Sequence, residues 1–274
     1  MFTGFILLLV FAWNLNDAPL SLKSALPERY FDPTGGNSGQ YILVWFFIAM
    51  WTFIDPGFYQ RTAASCSPET AKKGILISIC FWFIFDILTV TTALYAVALF
   101  PHKEAAMAYP ELAFNILPPF VYGIFLIGLF STIMSTIDSN GLISAITFGR
   151  DILLRIQKKD EQGNETQYIR KGLIVMAFIA VLLALSIPSV VQLWYVIGSI
   201  IVPGILLPFL MTFTQINLNS RGIIPTIILP VVVAIFWFLY GHFSGHYPME
   251  IEPFYPGLLS SGVLVLINRS IKRI

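Results

Sequence analysis

The sequence predicts an all-α polytopic membrane protein with about eight transmembrane helices. Only 11% of its 274 residues are charged and 57% are hydrophobic, whereas a soluble domain carries about a quarter charged residues. Strongly apolar runs also recur along the chain, and they are continuous, which disfavours the alternating pattern of a transmembrane β-barrel. The net charge of +1 provides no bulk attraction to nucleic acid.

Eight apolar runs approach the length that a bilayer requires. They cover roughly residues 2–15, 41–59, 75–99, 118–149, 172–187, 190–213, 223–241 and 256–268. The first and last are short. No basic residue precedes the run Phe2–Trp13, which favours a span that has lost its beginning over a cleaved signal peptide, the alternative.

The loops between these runs alternate in charge. Loops 60–74 and 150–171 and the C-terminal tail carry most of the basic residues, while the loop before the last run carries Glu250 and Glu252. The positive-inside rule then predicts a multi-pass protein of the cytoplasmic membrane, with the basic loops and both termini of the chain in the cytoplasm.

The fourth run contains an unusual set of polar side chains. These are Ser131, Thr132, Ser135, Thr136, Asp138, Ser139 and Asn140. On a helix they cover an arc of roughly 200°, and such groups are costly in lipid. The arc therefore predicts the wall of an ion or substrate site. In the alternative interpretation, the hydroxyls bond back to carbonyls of the preceding turn.

The second run is interrupted near its end by Asp55, Pro56 and Gly57. Proline removes a backbone donor and glycine loosens the helix, so we expect the helical hydrogen bonds to break here. An acid at such a break is typical of transporters, in which unwound backbone coordinates ions. Alternatively, the span ends at Asp55 and Pro56 starts a turn.

Two further runs carry interpretable residues. Asp86 lies inside the third run, where it either relays a proton or cation or accepts hydrogen bonds as a structural acid. The sixth run contains Gly198, Pro203, Gly204 and Pro208. This composition predicts a kinked helix, which is either a moving gate or a static packing kink.

Three motifs in order along the chain resemble the sodium:solute symporter family, which includes sodium-coupled sugar, proline and vitamin transporters. The first is Gln60-Arg61 with Ala63-Ala64 and Ala71-Lys72-Lys73-Gly74, and the second is Trp82–Tyr95, similar to a "W-x-x-F-D-x-L-T" span. The third is Met134–Ser139 followed by Gly149-Arg150-Asp151-Ile152. The resemblance covers about Trp45–Phe213.

The resemblance implies the inverted-repeat fold of the leucine transporter, whose core has five plus five helices. Residues 1–15 would then be the last helix of the first repeat, residues 41–213 the second repeat, and residues 223–274 peripheral helices. Nearly all of the first repeat is absent from this arrangement. The resemblance therefore implies the C-terminal part of a longer protein.

The resemblance also implies a site for sodium, the coupling ion and the only metal expected. Its ligands would be the hydroxyls of Ser135 and Thr136 and the backbone carbonyl of Thr132, because hard cations prefer oxygen. Asp138 and Ser139 would line an ion path or support the ligands.

The same resemblance assigns Trp51 and Asp55 to the substrate site or its gate. For Asp86, the residues of the span favour an intramembrane structural acid over a relay. The expected function is sodium-coupled symport of a small organic solute. The expected partners are that solute, membrane lipid and the first repeat of the same protein. A transporter-like sensor module and a proton-coupled transporter are the alternatives.

An intramembrane enzyme is not expected. No histidine falls in a predicted span, and the three intramembrane acids, Asp55, Asp86 and Asp138, lie on different spans without a catalytic motif.

Overall fold

The structure is a computed structural model that describes residues 1–15, 20–101, 105–157, 164–214, 216–218 and 222–271. The helices are α1 (Phe2–Leu15), α2 (Leu20–Ala25), α3 (Gly39–Ala49), α4 (Trp51–Ile54), α5 (Pro56–Ala63), α6 (Pro68–Leu99), α7 (Ala108–Ile116), α8 (Pro119–Ile146), α9 (Glu165–Ser186), α10 (Val190–Met211), α11 (Ile223–Ser244) and α12 (Phe254–Asn268). The predicted membrane orientation rests on basic residues in the loops. Some of these, such as Lys158 and Lys272, lie outside the described residues.

The short elements complete this arrangement. Three 3₁₀ turns lie at Glu28–Tyr30, Ala105–Met107 and Pro248–Glu250, and a π-helical segment, Thr147–Leu154, continues α8. Strands β1 (Ile216–Leu218) and β2 (Arg269–Ile271) form an antiparallel ribbon that pairs Ile216 with Ile271. The sequence did not predict this ribbon, whose two strands lie about 50 residues apart and carry no alternating pattern.

The predicted class of an all-α polytopic membrane protein is confirmed. Among the described residues, α6, α8 with its π-helical continuation, α9, α10 and α11 are long and apolar enough to cross a bilayer. The bent pair formed by Gly39–Ile54 and Pro56–Ala63 provides a sixth candidate. The first and last predicted spans are shorter apolar helices, as expected from their lengths.

The start of α6 differs from the sequence prediction. The helix begins at Pro68, seven residues before the predicted start of the span at residue 75. Ser67 caps it by accepting a hydrogen bond from the Thr70 amide at 3.2 Å, and Glu69 lies in the first turn. Serine at the cap, proline at the first position and an early acid together favour a helix start, whatever the hydropathy.

The helices pack into two compact units. The first comprises Met1–Gly36 and Gln60–Leu173, and the second comprises Asn37–Tyr59 and Ile174–Ile274. This division follows packing, so the repeat boundaries implied by the resemblance stay a prediction.

The first unit is centred on α1. Phe5 is buried and contacts three aromatic rings edge-on, those of Phe85 on α6, Tyr109 on α7 and Phe125 on α8. Edge-to-face geometry adds about 0.5–1.5 kcal/mol per pair beyond the buried area. The Phe5 side chain therefore packs α1 against three other helices, α6, α7 and α8.

The second unit joins α3 to α10, α11 and α12. Its buried core consists of Val44, Ile48, Val202, Leu206 and Phe254. Small residues allow the helices to approach closely, since a Cβ at Gly204 would lie 2.5 Å from the Ile227 carbonyl oxygen. Close backbone approach at small residues is the usual way in which helices associate in lipid.

In the first unit, a similar glycine contact joins the π-helical segment to α9. A Cβ on Gly172 would lie 2.5 Å from the Ala145 carbonyl oxygen and 2.8 Å from the Gly149 nitrogen. A Cβ on Gly149 would overlap the carbonyl of Tyr168. Packing against α9 therefore requires glycine at the first position of the Gly149-Arg150-Asp151 motif.

We expect Gly172→Ala to destabilise the protein by about 1–3 kcal/mol, because the new methyl group meets backbone atoms that a rotamer change cannot move. Thermal unfolding of the purified protein in detergent measures the effect. Gly123→Ala is the matched control, since a Cβ there meets nothing within 4 Å and alanine favours a helix over glycine by about 1 kcal/mol. Equal melting temperatures for both variants would contradict this account of the contact.

Candidate functional site

The polar arc of the fourth apolar run lies on α8. The side chains from Ser131 to Asp138 are exposed, and Ser139 is half-buried. In the most apolar stretch of this helix, only 6% is buried by contacts with other described residues. The arc therefore stands on a helix that the first unit leaves largely uncovered.

Three hydroxyls of the arc bond back to the helix itself. Ser131 donates to the Ile127 carbonyl at 2.7 Å, and Thr132 donates to the Gly128 carbonyl at 2.9 Å. Thr136 donates to the Thr132 carbonyl, also at 2.9 Å. Hydroxyls satisfied in this way cost less in an apolar environment than free ones.

Ser135 differs from these neighbours, because its hydroxyl makes no hydrogen bond within the part of the chain that the structure describes. The three expected sodium ligands are thus one free hydroxyl, one hydroxyl with a satisfied donor, and the carbonyl that accepts it. A hydroxyl has one donor and two acceptor lone pairs, so Thr136 retains oxygen lone pairs for a cation.

The Thr132 carbonyl is more constrained. A helix carbonyl already accepts a backbone N–H, and this one also accepts the Thr136 hydroxyl. Coordination of a cation by this oxygen requires the Thr136 hydroxyl to turn its proton away. Three oxygens from one helix are also fewer than a hard cation usually takes, so further ligands must come from other segments.

The carboxylates of Asp138 and Asp86 have no hydrogen-bond partners among the described residues. Asp138 is exposed on α8, and neither its carboxylate nor the Ser139 hydroxyl accepts or donates a hydrogen bond there. Asp86 is exposed on α6, where only its backbone carbonyl is used, by the Thr89 hydroxyl at 3.1 Å. The Asp86 carboxylate therefore makes no hydrogen bond to a hydroxyl or helix end among the described residues.

The predicted break at Asp55 is confirmed. The segments on either side, Gly39–Ile54 and Pro56–Ala63, meet at an angle of 41°. One carboxylate oxygen of Asp55 accepts the amides of Gly57 at 2.7 Å and Phe58 at 3.3 Å. The acid thus caps α5, where the helix begins without internal partners for its first amides.

The second carboxylate oxygen of Asp55 accepts the indole N–H of Trp51 at 3.2 Å. Both residues are half-buried within the second unit. The structure therefore brings together the two residues that the resemblance assigns to the substrate site or its gate. Capping alone uses only one of the two oxygens.

The glycines and prolines of the sixth run act in packing. Gly198, Pro203, Gly204 and Pro208 are all buried in α10. A Cβ on Gly198 would lie 2.8 Å from the Ile48 side chain. These contacts favour the packing kink over the moving gate.

Sequence reasoning missed two clusters of ionisable groups. Within the π-helical segment, Arg150 pairs with Asp151 at 2.9 Å and Glu165 at 3.4 Å, beside a pocket of about 320 Å³ that Arg155 also lines. The motif contained Arg150 and Asp151, but their partner comes from α9. The second cluster surrounds Glu252, and no periodic signal marks it.

Comparison with known proteins identifies the family. The family model described as "Sodium:solute symporter family" matches residues 19–230, well over half of the chain. This match includes both the broken helix and the polar arc on α8.

Several curated proteins are similar to parts of the chain. An osmoregulated proline transporter of Bacillus subtilis is 28% identical over 197 residues, which are 67% of this chain and 39% of that protein. A sodium/pantothenate symporter of Escherichia coli is 38% identical over 72 residues, 26% of this chain and 15% of that protein. A further symporter of Escherichia coli is 31% identical over 132 residues, 47% of this chain and 23% of that protein.

The chain thus spans about two-fifths of the length of the proline transporter and less of the other two relatives. The matching family model, the confirmed break at Asp55 and the apolar helices agree with one another. The chain belongs to the sodium:solute symporter family.

Proposed function

We propose that this chain is the C-terminal part of a symporter that couples inward movement of sodium to uptake of a small organic solute. The observation that carries the proposal is the arrangement on α8, where the unbonded Ser135 hydroxyl adjoins Thr136 on an exposed face. Family membership and relatives named for proline and pantothenate transport support it.

In this mechanism, sodium binds to the Ser135 and Thr136 hydroxyls and to the Thr132 carbonyl. Binding shifts the protein toward a state open to the outside, because the ion interacts more strongly with that state. The solute then binds near the middle of the membrane, and rocking of the helices exposes both to the inside. The membrane potential adds about 2.3 kcal/mol per charge for each 100 mV.

The remaining assignments follow the same scheme. Trp51 and Asp55 contribute to the solute site or its gate, at the break where helix ends and free backbone groups meet. Asp138 and Ser139 line the ion path toward the cytoplasm. Asp86 is an intramembrane acid whose partner lies outside the described residues.

The first repeat of the same protein would cover the polar arc. Polar side chains on α8 and the carboxylate of Asp86 are exposed among the described residues, and lipid is an unfavourable neighbour for them. A covering segment would also supply the missing sodium ligands. Both termini of this chain would lie on the cytoplasmic side of the cytoplasmic membrane.

We expect replacement of Ser135 or Thr136 by alanine, in the full-length protein, to raise the sodium concentration for half-maximal uptake about tenfold or more. Losing an oxygen that interacts with a charged group costs about 1.5–3 kcal/mol, and each 1.4 kcal/mol is about a factor of ten. Solute uptake into proteoliposomes, measured against sodium concentration, tests this.

Ser131→Ala is the matched control. Ser131 lies one turn earlier on the same helix and donates to the Ile127 carbonyl, so its loss should leave the sodium dependence unchanged. Unchanged sodium dependence in the Ser135→Ala, Thr136→Ala double variant would disprove the site. Uptake that follows a pH gradient without sodium would instead support a proton-coupled transporter.

For Asp55, we expect Asp55→Asn to lose less thermal stability than Asp55→Ala and to reduce uptake, because its amide oxygen still caps α5 while its amide nitrogen cannot accept the Trp51 N–H. Asparagine caps helices about as well as aspartate, whereas alanine costs about 0.5–2 kcal/mol. The amide lacks the charge that a cation or a polar solute would require. Melting temperature and initial uptake rate, measured together for Asp55→Asn and Asp55→Ala, separate capping from transport.

If Asp55→Asn transports at the wild-type rate while Asp55→Ala loses stability, Asp55 serves only as a helix cap. Trp51→Phe completes the series, because it removes the indole N–H that Asp55 accepts and retains an aromatic ring. A gate role for the pair requires this variant to change uptake without lowering the melting temperature.

A further inference from the structure

Glu252 lies in the connection between α11 and α12, in an environment unusual for a carboxylate. One of its oxygens, Oε2, is buried and has no hydrogen-bond partner among the described residues. The hydroxyl of Tyr195, on α10, is also buried without a partner. An ionised carboxylate without a partner is costly to bury, and the cost disappears when the group takes up a proton.

The groups that face Glu252 are phenols. Tyr195 on α10, Tyr247 in the connection and Tyr255 on α12 interact electrostatically with its carboxylate. Tyr41 on α3 stacks on Tyr195, with ring centroids 5.0 Å apart. No described lysine, arginine or histidine forms an ion pair with Glu252, so no cation offsets its charge within the described residues.

Helix α11 contributes a neutral hydrogen-bond donor to the backbone next to Glu252. The indole N–H of Trp237 donates to the Ile251 carbonyl at 2.8 Å, next to Glu252. A Cβ at Gly241 would overlap the Tyr247 ring. Phenols from α10, the connection and α12 therefore lie around the carboxylate, and Trp237 of α11 bonds to the backbone beside it.

The α11–α12 connection and the start of α12 also form hydrogen bonds with the beginning of α3. The Gln40 side-chain amide donates to the Glu250 carbonyl at 2.6 Å, and the Tyr255 hydroxyl donates to the Gln40 carbonyl at 2.8 Å. Met249 and Glu250 both have positive φ, 54° and 58°. Such backbone is strained in residues other than glycine and persists only where the surroundings hold it.

We propose that Glu252 is a proton-binding site whose protonation stabilises the contacts between the first turn of α3 and the α11–α12 connection. A neutral carboxyl leaves no charge among the aromatic rings, so it needs no cation beside it. The ionised form instead favours water entry and loosening of the contacts at Gln40. This site is distinct from the sodium site proposed on α8, and α3 leads directly to the break at Asp55.

The direction of the pH dependence follows from the burial. Burial raises the pKa of Glu252 above 4.5, although the nearby Tyr195 hydroxyl opposes part of this effect. A raised pKa means that the folded state binds the proton more tightly than the unfolded state. The stabilisation is therefore complete below 4.5 and is lost as the pH rises through the pKa of the folded protein.

Infrared spectroscopy of the full-length protein in lipid nanodiscs tests the proton site directly. We expect the carboxyl C=O band of Glu252 to titrate with a midpoint above pH 4.5 and to be absent from Glu252→Gln. Glu250→Gln, which removes an exposed acid from the same connection, should retain the band. Tyr195→Phe should move the midpoint to higher pH, because it removes the phenol that favours the ionised form.

Hydrogen exchange tests the coupling to α3. Wild type and Glu252→Gln are compared at each pH, so the intrinsic pH dependence of exchange cancels. Above the midpoint, amides of residues 39–45 should exchange more slowly in Glu252→Gln than in the wild type, and below it the two should agree. A midpoint at or below pH 4.5, a band that survives Glu252→Gln, or equal exchange at every pH would each overturn the proposal.

Discussion

A backbone amide or carbonyl in an apolar layer has to find a partner within the protein, and this constraint shapes the whole chain. Regular helices satisfy it internally, so it matters most where helices stop. At the break after α4, one oxygen of Asp55 accepts two amides that the start of α5 leaves free. Before α12, side chains of Gln40 and Trp237 reach the carbonyls of Glu250 and Ile251. At both interruptions, polar side chains therefore satisfy backbone groups that the helices leave free.

Features that depend on local chemistry could be predicted from the sequence. Proline and glycine change the backbone at their own positions, so Asp55-Pro56-Gly57 indicated the break directly. The continuous apolar runs likewise indicated the helices. The start of α6 was missed because the low hydropathy at Lys72 and Lys73 placed the predicted start after them, at residue 75, while the local cap at Ser67 was not considered. The β1–β2 ribbon depends on pairing between segments far apart in sequence, for which no local signal exists.

The candidate site was predictable in outline and not in detail. Polar residues on an apolar helix indicate a site because lipid disfavours them, and Ser131 to Asn140 satisfied that criterion. Which hydroxyl stays free depends on rotamers, and adjacent residues Ser135 and Thr136 differ in the structure. The environment of Glu252 was beyond sequence reasoning, since its aromatic neighbours come from α3, α10 and α12, up to about 210 residues apart. The family resemblance supplied roles for Ser135 and Thr136 that composition alone left open.

The pairing of β1 with β2 has a consequence for how the second unit assembles. The ribbon joins the segment before α11 to the segment after α12. Near the opposite end, the Trp237 indole N–H donates to the Ile251 carbonyl in the connection before α12. The hairpin of α11 and α12 is therefore closed at one end by backbone pairing and at the other by a side-chain hydrogen bond to its own connection. Helices that are joined by a short connection lose little chain entropy when they dock against each other. This hairpin can form as soon as both helices have left the translocon, and it then offers α10 a completed surface.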